Sequence, residues 1–78
     1  MTPTTLQIPE LIRTLRKRLN LSQEKFAARL GVSFQTVNRW EKGRAVPSPM
    51  AIKLIELQLR QMGERGADLL EAYFSDGG

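Results

Sequence analysis

Gln35 and Arg39 stand four residues apart in the run Ser33-Phe34-Gln35-Thr36-Val37-Asn38-Arg39-Trp40-Glu41. On a helix that spacing puts an amide and a guanidinium on one face. A primary amide presents an acceptor beside a donor, the pattern that pairs with adenine N6 and N7. A guanidinium presents paired donors, the pattern that pairs with guanine O6 and N7. Thr36 and Asn38 are shorter and reach sugar-phosphate or a single base edge. Phe34 has no hydrogen bond to give; its ring either packs on a thymine methyl or staples the turn beside Phe26. These residue types in this order point to reading a surface, not to making or breaking bonds.

Composition supports that choice. The 78 residues contain no Cys and no His. Disulfides and thiolate metal sites are thereby excluded, and the commonest metal ligand and general base are missing. No paired-carboxylate constellation or Gly-rich phosphate loop replaces them, so neither an enzyme nor a cofactor is expected. No apolar run has the roughly 18 residues that cross a bilayer, and the N-terminus lacks a signal-peptide core, so a cytoplasmic location is expected. The net charge is +4. Its distribution is more informative: residues 11–60 hold eleven of the twelve basic side chains and three of the eight acidic ones. From Gln61 onward Arg65 stands against Glu64, Asp68, Glu71 and Asp76. A basic body with an acidic tail fits a polyanion-binding surface that the tail does not share.

The elements that must position the Phe34–Glu41 row can be read from caps and periodicity. Ser22 and Ser33 each stand where a helix N-cap is needed, and Gly31 between them suits a left-handed helix end. Two short helices joined by such a turn define a helix-turn-helix. Upstream, Leu11, Ile12, Leu15 and Leu19 mark one face of a helix starting at Pro9. Downstream, Ser48 and Pro49 open a helix through Met50, Ala51, Ile52, Leu54, Ile55, Leu57 and Leu59 to about Met62. Its apolar surface is wider than one stripe, so a neighbour must cover the excess. A short helix from Ala67 to Phe74, after a break at Gly63 and Gly66, is one candidate and a second subunit is the other. The fold class is therefore all-α, a compact bundle of four to five helices. Residues 1–8 are expected as a flexible arm, 9–62 as the helix-turn-helix domain, and 63–78 as an acidic helix or tail packed on the domain or used in dimerisation.

The run from Leu15-Arg16-Lys17-Arg18-Leu19-Asn20-Leu21-Ser22-Gln23 through Trp40-Glu41-Lys42-Gly43-Arg44 resembles the phage repressor/Cro-like helix-turn-helix regulators, over roughly residues 9–60. The resemblance implies a lambda-repressor-like DNA-binding fold in which the helix over 34–41 enters the major groove and the preceding helix lies across the backbone. Base contacts then fall to Phe34, Gln35, Asn38 and Arg39. Backbone contacts fall to Gln23, Ser33, Thr36, Lys42 and Arg44, with Lys42 and Arg44 on a loop that grips phosphates in the family. It also implies a buried ion pair between Arg16 and Glu41 and a scaffold role for Trp40. Lys17, Arg18 and Lys25 read as solvent-facing charges. Many members carry Gln where this chain has Phe34, paired with the Gln matching Gln23, so the operator cannot be borrowed from relatives.

Three functions share these features. The leading one is a sequence-specific regulator, a repressor binding a palindromic operator in double-stranded DNA as a homodimer. The second is an antitoxin with a toxin protein as partner, and the third an interaction module that keeps the fold without DNA. Leu59, Met62, Leu69, Tyr73 and Phe74 are the apolar candidates for dimer contacts, and the same residues can instead close the monomer's core. No membrane or metal is expected as a partner.

Overall fold

In the computed structural model, which describes residues 8–74, five helices follow one another with no strand among those residues: α1 (Ile8–Arg18), α2 (Gln23–Leu30), α3 (Phe34–Glu41), α4 (Pro49–Gln61) and α5 (Glu64–Phe74). Apart from Ile8, the arm expected over 1–8 lies outside the described residues, as does the tail beyond Phe74. Helix α1 begins one residue before Pro9, because Ile8 is buried with Leu11, Ile12 and Leu15 and extends the apolar stripe by a turn.

Serine caps set the helix starts. The Ser22, Ser33 and Ser48 hydroxyls accept from the backbone N–H of Lys25, Thr36 and Ala51, each at 3.1 Å. Helix α2 ends on Gly31 at φ +76°, and Val32 N–H donates back to the Ala27 carbonyl at 3.0 Å. That left-handed turn aims the chain into α3 and costs a β-carbon-free residue little. The core behind the helix pair is built from Leu11, Ile12, Leu15, Phe26, Val37, Ile55 and Leu59, all fully buried, with Trp40 nearly so. Apolar burial of this kind is the main favourable term in so small a domain.

Two expectations about the C-terminal part are corrected. Gly66 does not break the chain: α5 starts at Glu64, and only Gly63, at φ +63°, turns the α4–α5 corner. Gly66 sits inside α5 against α4, where a β-carbon would collide with the Leu59 backbone carbonyl. Glycine is there for close helix approach. Leu59 and Leu69, read as candidate dimer contacts, are buried in the monomer's own core. Met62, Tyr73 and Phe74 are half-buried against the same core, and burial pushes the Tyr73 phenol up from its ordinary value. Of the two readings these residues allowed, their packing follows core closure.

Arg18 is a third correction. It is not a free surface charge but clasps α1 to α5, donating to both Asp68 carboxylate oxygens at 2.6 and 2.8 Å and to the Arg65 carbonyl at 2.7 Å. Arg65 returns a hydrogen bond to the Arg18 carbonyl. The Arg18 hydrogen bonds and charge hold the Asp68 carboxyl at about 2. With α5 on one side of α4, the other side stays open: Met50, Leu54 and Leu57 remain 74%, 37% and 48% exposed.

Candidate nucleic-acid interface

The outward face of α3 carries the row expected from sequence. Phe34, at the first helical position, is 45% exposed, and Gln35 and Arg39 are exposed beside it. Thr36 and Asn38 are half-buried at the edge of that face, and Val37 and Trp40 point the other way into the core. The helix is anchored by its apolar side and presents Phe34, Gln35 and Arg39 outward.

Several of the positive charges are engaged within the molecule. Arg16, Arg18 and Arg60 are paired with Glu41, Asp68 and Glu56, and Arg29 donates to Gln58 at 3.2 Å. Arg39, Lys42 and Arg44, like Lys17, Lys25 and Lys53, form no ion pair among the described residues and are exposed, and they alone of these stand at the end of α3 and in the loop after it. Cations grouped on and after an amide-bearing helix are suited to an anionic polymer, since neighbouring phosphates can take the loop cations while the helix faces the bases. Ser33 and Thr36 differ from the expectation of two free backbone contacts. Their hydroxyls lie 2.8 Å apart while Ser33 also accepts from Thr36 N–H. One hydroxyl must donate to the other, leaving a single hydroxyl proton to face outward.

Beneath this face lies a polar network around Glu41, the one buried charged residue among those described. Arg16 Nε and an Nη donate to the two Glu41 oxygens at 2.7 and 3.1 Å, the expected ion pair in bidentate form. The carboxylate raises the Arg16 guanidinium's hold on its proton, chiefly through those hydrogen bonds. Arg16 also donates to the Leu21 carbonyl at 3.1 Å, tying α1 to the start of α2. Sequence reasoning missed two members. Arg13 donates to the Glu41 backbone carbonyl at 2.6 Å, satisfying an orphan acceptor at the C-terminus of α3. Its spacing of three from Arg16 is the signal that could have placed it on the same face. Gln23 turns inward: its amide N–H₂ donates to Glu41 Oε1 at 3.1 Å and to Asn38 Oδ1 at 3.4 Å. The side chain expected to donate to a phosphate thus has both amide hydrogens directed into the network.

Among the described residues no group of His, Cys, Asp and Glu could hold a metal ion, and no helix is long and apolar enough to cross a membrane. Two capped helices at a glycine turn, with the second anchored inward and polar outward, define a helix-turn-helix domain. The helix-turn-helix family model matches residues 12–60, more than half of the chain, and the chain belongs to that family.

Curated relatives include Antitoxin HigA-2 of Vibrio cholerae, 38% identical over 52 residues that cover 67% of this chain and 50% of that protein. Antitoxin MqsA of Escherichia coli is 39% identical over 49 residues, 63% of this chain and 37% of that one. An uncharacterized HTH-type transcriptional regulator of Methanothermobacter thermautotrophicus is 55% identical over 38 residues, 49% of this chain and 55% of that one. The chain therefore spans 37% to 55% of the length of these relatives. No solved structure matches it at a comparable level.

Proposed function

We propose that this chain is a sequence-specific DNA-binding transcriptional regulator, a repressor that inserts α3 into the major groove of a palindromic operator. The observation that carries the reading is the exposed Gln35–Arg39 face, followed by Lys42 and Arg44, with none of these cations in an ion pair among the described residues. Gln35 and Arg39 read base edges, with Phe34 against a thymine methyl; Lys42 and Arg44 hold phosphates. The reading involves no catalytic step, cofactor or membrane.

A homodimer fits the same reading, because two half-sites about one helical turn apart supply specificity that one small module lacks. The exposed stripe of Met50, Leu54 and Leu57 on α4 supports that surface better than the residues closing the core. A second reading, an antitoxin that represses its own operon while holding a toxin, is favoured by the printed names of two relatives, HigA-2 and MqsA. Both readings share DNA binding and a place inside the cell.

Two substitutions test the shared core of the reading. Arg39→Ala weakens the preferred duplex by about 1–3 kcal/mol and leaves unrelated duplexes little changed. Arg44→Ala weakens all duplexes alike and lowers the salt slope by about one. Equal effects of the two on every sequence would remove the division into base and phosphate contacts.

A further inference from the structure

The network beneath α3 fixes a direction of hydrogen bonding that ends at the recognition face. It starts at Glu41, whose carboxylate is bonded to Arg16 at 2.7 and 3.1 Å and can only accept. Gln23, 3.1 Å from Glu41 Oε1, must therefore turn its N–H₂ group, and not its carbonyl, toward the carboxylate. That N–H₂ group also lies 3.4 Å from Asn38, so the Asn38 atom facing it must be the acceptor Oδ1. With Oδ1 turned toward α2, the Asn38 N–H₂ group is the end left for an outside partner. Each orientation follows from the one before, and the first is set by an ion pair that cannot reverse.

We propose that Glu41, acting through Gln23, makes Asn38 a donor-only reader of DNA. Glu41 and Gln23 are positioning residues; Asn38 is the group that meets the base. This rests on the proposed major-groove function. A free asparagine pairs best with adenine, giving Nδ2–H to N7 and accepting N6–H at Oδ1. With Oδ1 turned toward Gln23, Asn38 can take up that bidentate pairing only by giving up the Gln23 contact, which disfavours it. Its N–H₂ instead suits an edge that presents acceptors, the O6 and N7 of guanine or the O4 of thymine, and is mismatched to the cytosine amino group. Phe34 matters here by what it lacks. It offers Gln23 no hydrogen-bonding partner, and the Gln23 amide reaches Asn38 and Glu41 instead.

The test is selection of bound duplexes from a random pool by the full chain, its Asn38→Asp and Gln23→Ala variants, and Asn38→Ala to locate the position Asn38 contacts. Asn38→Asp keeps an acceptor toward Gln23 and replaces the outward donor by an acceptor. It is expected to move that one position from guanine or thymine to cytosine by roughly three- to tenfold in relative enrichment, the effect of one hydrogen bond, whatever the added charge does to overall affinity. Gln23→Ala frees Asn38 to rotate and is expected to raise adenine at the same position by a similar factor, so the inference stays testable if Asn38→Asp does not fold. A clear wild-type motif whose preferences neither variant shifts would overturn the relay and leave the DNA reading standing. A wild-type selection with no enriched motif would overturn both.

Discussion

Replacing Glu41 by Ala removes the acceptor on which three helices converge. Its side chain is 5% exposed and takes two hydrogen bonds from Arg16 on α1 and one from Gln23 on α2. Truncating one member of a buried, hydrogen-bonded ion pair costs about 3–5 kcal/mol, because the other charge is left without its partner. Arg16 is 17% exposed and keeps its bond to the Leu21 carbonyl, so water and that carbonyl relieve part of the loss. The expected cost is therefore at the low end, about 3 kcal/mol. A chain of this length has only about 4–12 kcal/mol of stability in total. Urea unfolding followed by the fluorescence of Trp40, the sole tryptophan and 4% exposed, reads the change directly. With a slope near 1 kcal/mol per molar urea, the midpoint should fall by about 3 M. The double variant Arg16→Met/Glu41→Leu should recover most of that fall, since it leaves no unpaired charge. A midpoint shift under about 0.5 M for Glu41→Ala, or single effects that simply add in the double variant, would refute the claim that this pair is a buried, coupled unit.

Other outcomes follow from the packing of α5. Gly66→Ala places a methyl against the Leu59 backbone carbonyl, and thermal melts should show a loss of about 1–3 kcal/mol, since backbone cannot step aside as a flexible side chain can. Arg18 lowers the Asp68 carboxyl to about 2 from an ordinary 3.8, so its contribution to stability is present above about pH 4 and is lost as pH falls toward 2. The gap between the melting curves of wild type and Asp68→Asn should therefore be widest at pH 6 and narrow between pH 4 and pH 2; a gap that does not narrow would rule out the Arg18–Asp68 clasp as its source. On the open side of α4, Leu54→Glu should leave the melting temperature nearly unchanged while shifting sedimentation, on DNA or free, toward the monomer, because Leu54 touches solvent on a face the monomer does not cover.

What could be read from sequence was whatever local chemistry decides. Ser22, Ser33, Ser48 and Gly31 act on their own helix ends, and each does in the structure what its residue type requires. The face of α3 was legible for the same reason: Gln35 and Arg39 against Val37 and Trp40 is a pattern within eight residues. The Arg16–Glu41 pair spans 25 residues and came from family resemblance, not from periodicity. What escaped depends on contacts that no local pattern encodes. Arg18 meets Asp68 fifty residues away, so nothing near Arg18 marks it as a clasp. Gly66 reads as a helix breaker by type, and only the approach of α4 shows why a helix keeps it. Gln23 looked free because its partners, Asn38 and Glu41, are brought to it by the turn.

On the proposed function, the outward face of α3 reads base sequence while Lys42 and Arg44 beside it hold phosphates. The most direct measurement is selection of duplexes bound by the wild-type chain from a random pool, followed by the affinity of the selected duplex across a salt series. Selection should return an enriched motif arranged as an inverted repeat, bound with an affinity that falls linearly on a log–log salt plot. An unenriched pool together with salt-insensitive binding would contradict that function.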